Sequence, residues 1–191
     1  DPWRDYGPLD YYPQAGDGGN GRGLSVSLGQ VMTEGYAPRD RFETLYISAD
    51  NRVAFTEPDF EIETAISGNV MILRDGIYQA TTATSNYLEQ RHPRTAIALD
   101  ETGETLLLIV VDGRQSRYSA GATMEELAEI IRAHGGYTAL NLDGGGSTAL
   151  VMADADGQPQ TLNRPIHNRV PGRQRPIANH LGLWIGPSQT P

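Results

Sequence analysis

Neither lysine nor cysteine occurs among the 191 residues, so all 15 basic side chains are arginines. Without an amine there is no Schiff-base nucleophile, no P-loop lysine and no kinase-type lysine. Without a thiol there are no thiolate nucleophiles, disulfides or cysteine metal sites, and either redox compartment is compatible with the chain. Positive charge is also scarce: 15 arginines face 24 carboxylates, giving a formal net charge of -9 and a pI near 4.8. A surface of that sign repels phosphate backbones, which sets nucleic acid aside as a partner unless the arginines converge on one face. No apolar run approaches the roughly 20 residues that a bilayer crossing needs. The most apolar stretch, Leu106 to Val111, has the length of a strand. Asp1-Pro2-Trp3-Arg4 has neither an initiator methionine nor a signal-peptide core, and reads as a mature end or the start of a fragment.

What is present is punctuated by turn residues. Residues 1–23 are rich in glycine, proline and tyrosine without a sustained period, and are expected to be an irregular loop. Leu24, Val26 and Leu28 alternate with Ser25 and Ser27, then Gly29-Gln30 is placed to reverse the chain into Val31-Met32. Thr44 to Ser48 and Arg52 to Thr56 flank Ala49-Asp50-Asn51 as the arms of a second hairpin, and Val70 to Leu73 runs into the turn pair Asp75-Gly76. Thr95 to Leu99 and Leu106 to Val111, joined by a polar turn, read as adjacent core strands. Thr123 and Glu126 form a capping box for a helix over about 123–134, with Leu127, Ile130 and Ile131 as its apolar stripe and Gly135-Gly136 as its end. Tyr137 to Leu142, Thr148 to Met152 and His180 to Ile185 complete the expected strands. Many strands, one marked helix and no βαβ alternation predict a single α+β domain over 1–191 with a mainly antiparallel or mixed sheet.

Chemistry concentrates in three places. Asn141-Leu142-Asp143-Gly144-Gly145-Gly146-Ser147 puts an amide and a carboxylate two residues apart, facing one way along a strand, before three consecutive glycines. Such a turn contributes no packing, and close approach of its backbone amides to an anion or an oxygen-rich ligand is one reason for it; a merely glycine-rich hairpin is the other. Arg94 and Thr95 open a strand after His92-Pro93, and Asp112-Gly113 closes its neighbour, at the same sheet edge or the far one. Arg173, Arg175, Asn179 and His180 crowd a loop before the last expected strand. Asp154-Ala155-Asp156-Gly157 fails as a calcium loop, because Met152 and Asn163 would stand at the first and last ligand positions. Ser147 has no histidine placed by sequence to activate it, and is read as a hydrogen-bonding group.

Together these segments resemble the phosphodiester glycosidase family. The resemblance rests on Ala65-Ile66-Ser67-Gly68 with Asp75-Gly76, His92-Pro93-Arg94-Thr95-Ala96-Ile97, Val111-Asp112-Gly113, Ser119-Ala120-Gly121 before Met124-Glu125-Glu126-Leu127-Ala128, the stretch Ala139 to Ser147, and Arg175-Pro176-Ile177-Ala178-Asn179. Order and spacing agree from about residue 24 to 185, while an upstream Asn-Gly-x-Phe-Phe-like segment of the family has no counterpart here. The chain is therefore expected to be the C-terminal part of a longer domain, with an N-terminal fragment of the same precursor as a candidate partner. The resemblance implies a hydrolase acting on sugar 1-phosphodiesters such as those of N-acetylglucosamine, in an extracellular, periplasmic or cell-envelope setting. In that reading Asp143 is base or nucleophile at the anomeric carbon, or alternatively orients the sugar hydroxyls, and Asp112 is a second carboxylate; Arg94 and Arg175 hold phosphate; Thr95, Asn141, Gly144, Gly145, Gly146, Ser147 and Asn179 bind sugar or phosphate oxygens. No cofactor is implied, and a divalent metal is left open. The alternatives are a non-catalytic phosphoglycan-binding module and an assembly fragment.

Overall fold

A computed structural model of the chain describes residues 21–34, 42–79, 86–184 and 186. The expected loop over 1–23 therefore lies largely outside the described residues.

Two five-stranded antiparallel sheets make up the body. The first has the order β2-β1-β5-β3-β4, built from β1 (Ser25–Ser27), β2 (Gln30–Thr33), β3 (Glu43–Ile47), β4 (Val53–Ala54) and β5 (Thr64–Gly68). The second has the order β7-β6-β10-β8-β9, from β6 (Val70–Arg74), β7 (Ile77–Tyr78), β8 (Arg94–Leu99), β9 (Leu106–Val111) and β10 (Thr138–Asn141). A short helix α1 (Asn86–Glu89) precedes β8, and α2 (Met124–Ala133) links β9 to β10. Two small hairpins follow, β11 (Val151–Ala153) with β12 (Pro159–Thr161), and β13 (Ile166–His167) with β14 (Val170–Pro171).

The period-two alternation of the second sheet sorts its side chains between two cores. Met71, Ile97, Leu99 and Leu140 meet Leu45 and Phe55 of the first sheet. On the other face Ile72 and the small residues Ala96, Ala98 and Ala139 let α2 lie close, buried through Met124, Leu127, Ala128 and Ile131. The capping box at Thr123 and Glu126 is formed: Thr123 Oγ1 accepts from the Glu126 amide at 3.1 Å and Glu126 Oε2 from the Thr123 amide at 3.0 Å.

Three expectations need correcting. The first hairpin turns at Leu28-Gly29, both with positive φ, so Leu28 is 79% exposed instead of core-facing. Thr148 belongs to a 3₁₀ turn over Gly145–Ser147, its amide bonded to the Gly145 carbonyl, and the strand starts three residues later at Val151. Residues 180–184 form no strand: Leu181 packs against the core between the sheets, while Leu183 and Trp184 are exposed and no ladder bonds engage them; Ile185 lies outside the described residues.

The crossover through α2 inserts β10 between β6 and β8. Because its neighbours are antiparallel to it, its C-terminal end stands beside the start of β6, the start of β8 and, one strand further, the end of β9. Asn141, Arg94 and Asp112 thus gather at one edge of one sheet, which resolves the choice the sequence left open for Asp112.

Candidate active site

At that edge the three glycines serve close contact with the protein itself, Gly144 with backbone and Gly145 and Gly146 with side chains. A Cβ on Gly144 would lie 2.6 Å from the Pro93 carbonyl oxygen, and the Gly145 amide donates to that same oxygen at 2.9 Å. Gly145 has φ +62°, and a Cβ there would lie 2.9 Å from a terminal nitrogen of Arg114. Only glycine satisfies these approaches without displacement. The Gly144 amide donates to Asp143 Oδ1 at 3.0 Å, and the Ser147 amide to the Gly144 carbonyl at 3.1 Å, so these amides are taken up internally.

The turn presents a carboxylate, a hydroxyl and a guanidinium to one another. Ser147 Oγ donates to Asp143 Oδ2 at 2.6 Å. Arg175, brought in from the chain after β14, donates through Nη2 to Asp143 Oδ2 at 2.5 Å and through Nε to Ser147 Oγ at 3.1 Å. The Asp143 side chain remains 74% exposed and that of Arg175 29%, so the pair stands at the surface with its acid able to reach a ligand. Arg175 also packs over Gly146, where a Cβ would meet its side chain and His167 Nδ1 at 3.2–3.4 Å.

Beside this pair runs an open groove of about 880 Å³ lined by Arg114, Arg164, Arg169 and Arg175, with Gly146 and His167 in its wall and no carboxylate among the lining residues. In a chain of net charge -9 the arginines do converge. Arg114 lies at φ +56° and Arg169 at φ +63°, the left-handed region that L-residues other than glycine, asparagine and aspartate seldom enter. Arg114 donates to His92 Nδ1 at 3.1 Å, which assigns that nitrogen the acceptor role and the proton to Nε2. Burial, then Arg114 and Arg94, hold the His92 pKa below its ordinary value. Burial, then Arg175 and Arg173, do the same for His167. Both imidazoles are therefore biased towards the neutral form, His167 in the groove wall and His92 behind Arg114.

The remaining sequence-derived residues divide by role. Arg94 is fully buried: Nε donates to the Ala122 carbonyl at 3.0 Å, Nη2 to the Tyr87 and Gln90 carbonyls at 2.7 and 2.9 Å, and its Cζ lies 4.5 Å from the Tyr87 ring centre. Its charge ties α1 to the loop before α2; Arg94 is not among the residues that line the groove, whereas Arg114 is. Asn141, also fully buried, donates to Asn69 Oδ1 and the Leu142 carbonyl, both at 2.7 Å, so it parts from Asp143. Thr95 Oγ1 meets Thr148 Oγ1 at 3.3 Å and pins the end of the glycine turn.

Asp112 accepts from Tyr118 Oη and Asn163 Nδ2, each at 2.9 Å, and from the Arg164 amide at 2.9 and 3.1 Å. Its described contacts fix the groove wall and carry Arg164, and none leads to Asp143. Asn179 is exposed in an irregular segment and shares none of the contacts that join Asp143, Ser147 and Arg175. Among the described residues no three of His, Asp and Glu gather as a metal would require.

Sequence reasoning missed Arg114, Arg164, Arg169 and His167. Arg114 follows Asp112-Gly113 directly at a strand end, and Asn168-Arg169 is the turn of the last hairpin; both placements were available as signals, although an arginine at a left-handed turn position is hard to anticipate.

Residues 13–184 match the family model described as phosphodiester glycosidase. N-acetylglucosamine-1-phosphodiester alpha-N-acetylglucosaminidase of Mus musculus is 33% identical over 147 residues, which is 70% of this chain and 27% of that protein. The zebrafish N-acetylglucosamine-1-phosphodiester alpha-N-acetylglucosaminidase catalytic domain, auto-inhibited by its pro-peptide, superposes with a TM-score of 0.58 at 23% identity, over 75% of this chain and 50% of that one. That likeness speaks for the fold. A hypothetical protein from Synechocystis shares 30% identity over 46% of this chain and 17% of its own, with a TM-score of 0.40. The chain thus spans about a quarter of the mouse enzyme and half of the zebrafish domain. With residues 13–184 inside the family model, and a fold shared with the zebrafish domain, the chain belongs to the phosphodiester glycosidase family.

Proposed function

We propose that this chain carries the hydrolytic centre of an enzyme that releases a sugar, such as N-acetylglucosamine, from a sugar 1-phosphodiester. The observation that carries the reading is the exposed Asp143 carboxylate, held by Ser147 and Arg175 at the mouth of a carboxylate-free arginine groove. In the reaction the bond between the anomeric carbon and the bridging phosphate oxygen breaks, its electron pair leaves with the phosphate, and water supplies the new hydroxyl. The departing phosphomonoester has a second pKa near 6. It is a good leaving group, and electrostatic help from guanidinium groups can stand in for a strong general acid.

Arg175 and Arg114 flank Gly145 and Gly146 and would receive that phosphate. Asp143 acts on the anomeric carbon as nucleophile, or on the attacking water as base. Ser147 orients the carboxylate, and Asp112 acts through Arg164 as a positioning residue. An extracellular, periplasmic or envelope setting suits such a substrate, and among the described residues no helix is long and apolar enough to cross a membrane.

The test compares sugar release from a sugar 1-phosphodiester and from a plain glycoside by the native chain and by Asp143→Asn. Release from the diester alone, falling by roughly 10²–10⁴ in the variant, is the expected outcome for a positioned acid–base group. Unchanged turnover in Asp143→Asn would overturn the role of Asp143. Binding without turnover in either protein would favour a phosphoglycan-binding module.

A further inference from the structure

The groove holds more cationic charge than one phosphodiester uses. A diester linkage carries a single negative charge, and one bidentate guanidinium satisfies it. Four arginines line the groove, and Asp143 offsets only Arg175. Among the described residues, Arg114, Arg164 and Arg169 have no carboxylate within ion-pair distance of their guanidinium groups. All three are exposed.

Their placement is built. The Arg164 amide is held by both oxygens of Asp112, its guanidinium lies 5.2 Å from the centre of the Tyr118 ring, and Gln115 Nε2 bonds its carbonyl at 2.7 Å. Arg169 sits in the left-handed turn joining β13 to β14 and lines the groove from there, at a conformational cost of about 1–2 kcal/mol. An open groove with cations along its wall suits a chain lying through it better than it suits a single terminal sugar.

We propose that the groove binds an extended sugar-phosphate polymer and holds at least two of its phosphates at once. Arg175 and Arg114 take the phosphate at the scissile bond, and Arg164 and Arg169 take a neighbouring one. The inference rests on the phosphodiester glycosidase reading and names its substrate class: a polymer whose repeats are joined through anomeric phosphodiesters, cut within the chain to leave a free reducing sugar on one side and a phosphomonoester on the other. The overall charge of -9 fits this use, because it repels polyanions everywhere except where the arginines focus an attractive field.

The experiment uses the 191-residue chain with two probes, poly(N-acetylglucosamine-1-phosphate) and methyl N-acetylglucosamine-1-phosphate. Turnover is measured as kcat/KM, and binding to catalytically weakened Asp143→Asn is followed by calorimetry. Polymer cleavage is expected to exceed that of the single diester by tenfold or more at low salt. Arg164→Gln and Arg169→Gln are each expected to reduce the polymer-to-diester ratio severalfold, and together to bring it near unity. On the scaling for single-stranded polyanions, binding that engages two phosphates weakens roughly sevenfold between 50 and 200 mM salt, against roughly threefold for one.

A polymer no better than the diester, a ratio untouched by both substitutions, or a salt dependence of one charge would each overturn the proposal. So would equal affinity for a single-stranded oligonucleotide of the same charge, which would make the groove a general polyanion trap. If neither probe is cleaved, the glycosidase reading fails. Salt-steep polymer binding lost in the arginine variants would then still sustain the groove's ligand, and its absence would overturn that too.

Discussion

Arg94 shows how far a side chain's chemistry depends on which way its strand faces. Alternation puts it on the helix side of β8 with Ala96 and Ala98, so a residue that the sequence offers to phosphate instead donates to three backbone carbonyls. Hydrogen bonds from a charged donor contribute about 1.5–3 kcal/mol each, offset here by the expense of burying the charge. Arg94→Met is expected to lower stability by about 2–3 kcal/mol, read as a shift in the urea midpoint at unchanged m-value.

His167 gives a residue-scale prediction of the opposite kind. Its folded-state pKa is depressed by burial and by Arg175 and Arg173, so below the ordinary value the unfolded chain binds the proton more readily than the folded one. Stability is then fully retained above about pH 6.5 and declines as pH falls from there towards the depressed value. His167→Gln is expected to flatten that acid-side slope, measured from urea midpoints at a series of pH values. An unchanged slope would remove His167 from the account.

At the scale of elements, legibility followed turn chemistry. Asp75-Gly76 announces its hairpin because both residues tolerate positive φ, and the capping box announces α2 because its two hydrogen bonds are local in sequence. Thr123→Ala is expected to destabilise the fold by about 1 kcal/mol in chemical denaturation. Leu28 misled because a leucine at a left-handed turn position mimics the next member of an alternating strand. The four-residue α1 has no period to read, and His180 to Trp184 has strand-like composition without an edge to pair with.

The glycine turn was legible as a special place, and the structure adds a reason internal to the protein. The Gly144 and Gly145 amides serve protein acceptors, and the missing side chains make room for Pro93, Arg114, His167 and Arg175. Gly144→Ala is therefore expected to cost stability even with substrate absent, because the clash is with a backbone oxygen. Gly145→Ala is expected to impair kcat/KM by displacing Arg114, whose long side chain can yield. A thermal melt beside a kinetic assay separates the two.

For the whole molecule, the composition gave the sign of the surface but not its distribution. Fifteen arginines scattered through the sequence say nothing about convergence; that depends on a loop after β9, the entry to β13 and the β13–β14 turn meeting the segment that carries Arg175. Two opposing effects of salt follow. Screening relieves the mutual repulsion of a body carrying -9, so the melting temperature is expected to rise with ionic strength, while affinity for an anionic substrate falls. Parallel changes in both quantities would count against a cationic groove set in an acidic body.

The left-handed arginines bear on how this protein would change under selection. Arg114, Arg117 and Arg169 all occupy backbone conformations that glycine adopts without strain. A library screened only for survival on heating is expected to gather glycine or asparagine at these positions. Each such replacement relieves about 1 kcal/mol of backbone strain. The survivors would be sturdier and would have shed two of the groove's four cations, Arg114 and Arg169, so at these two residues heat tolerance and ligand capture would be drawn in opposite directions.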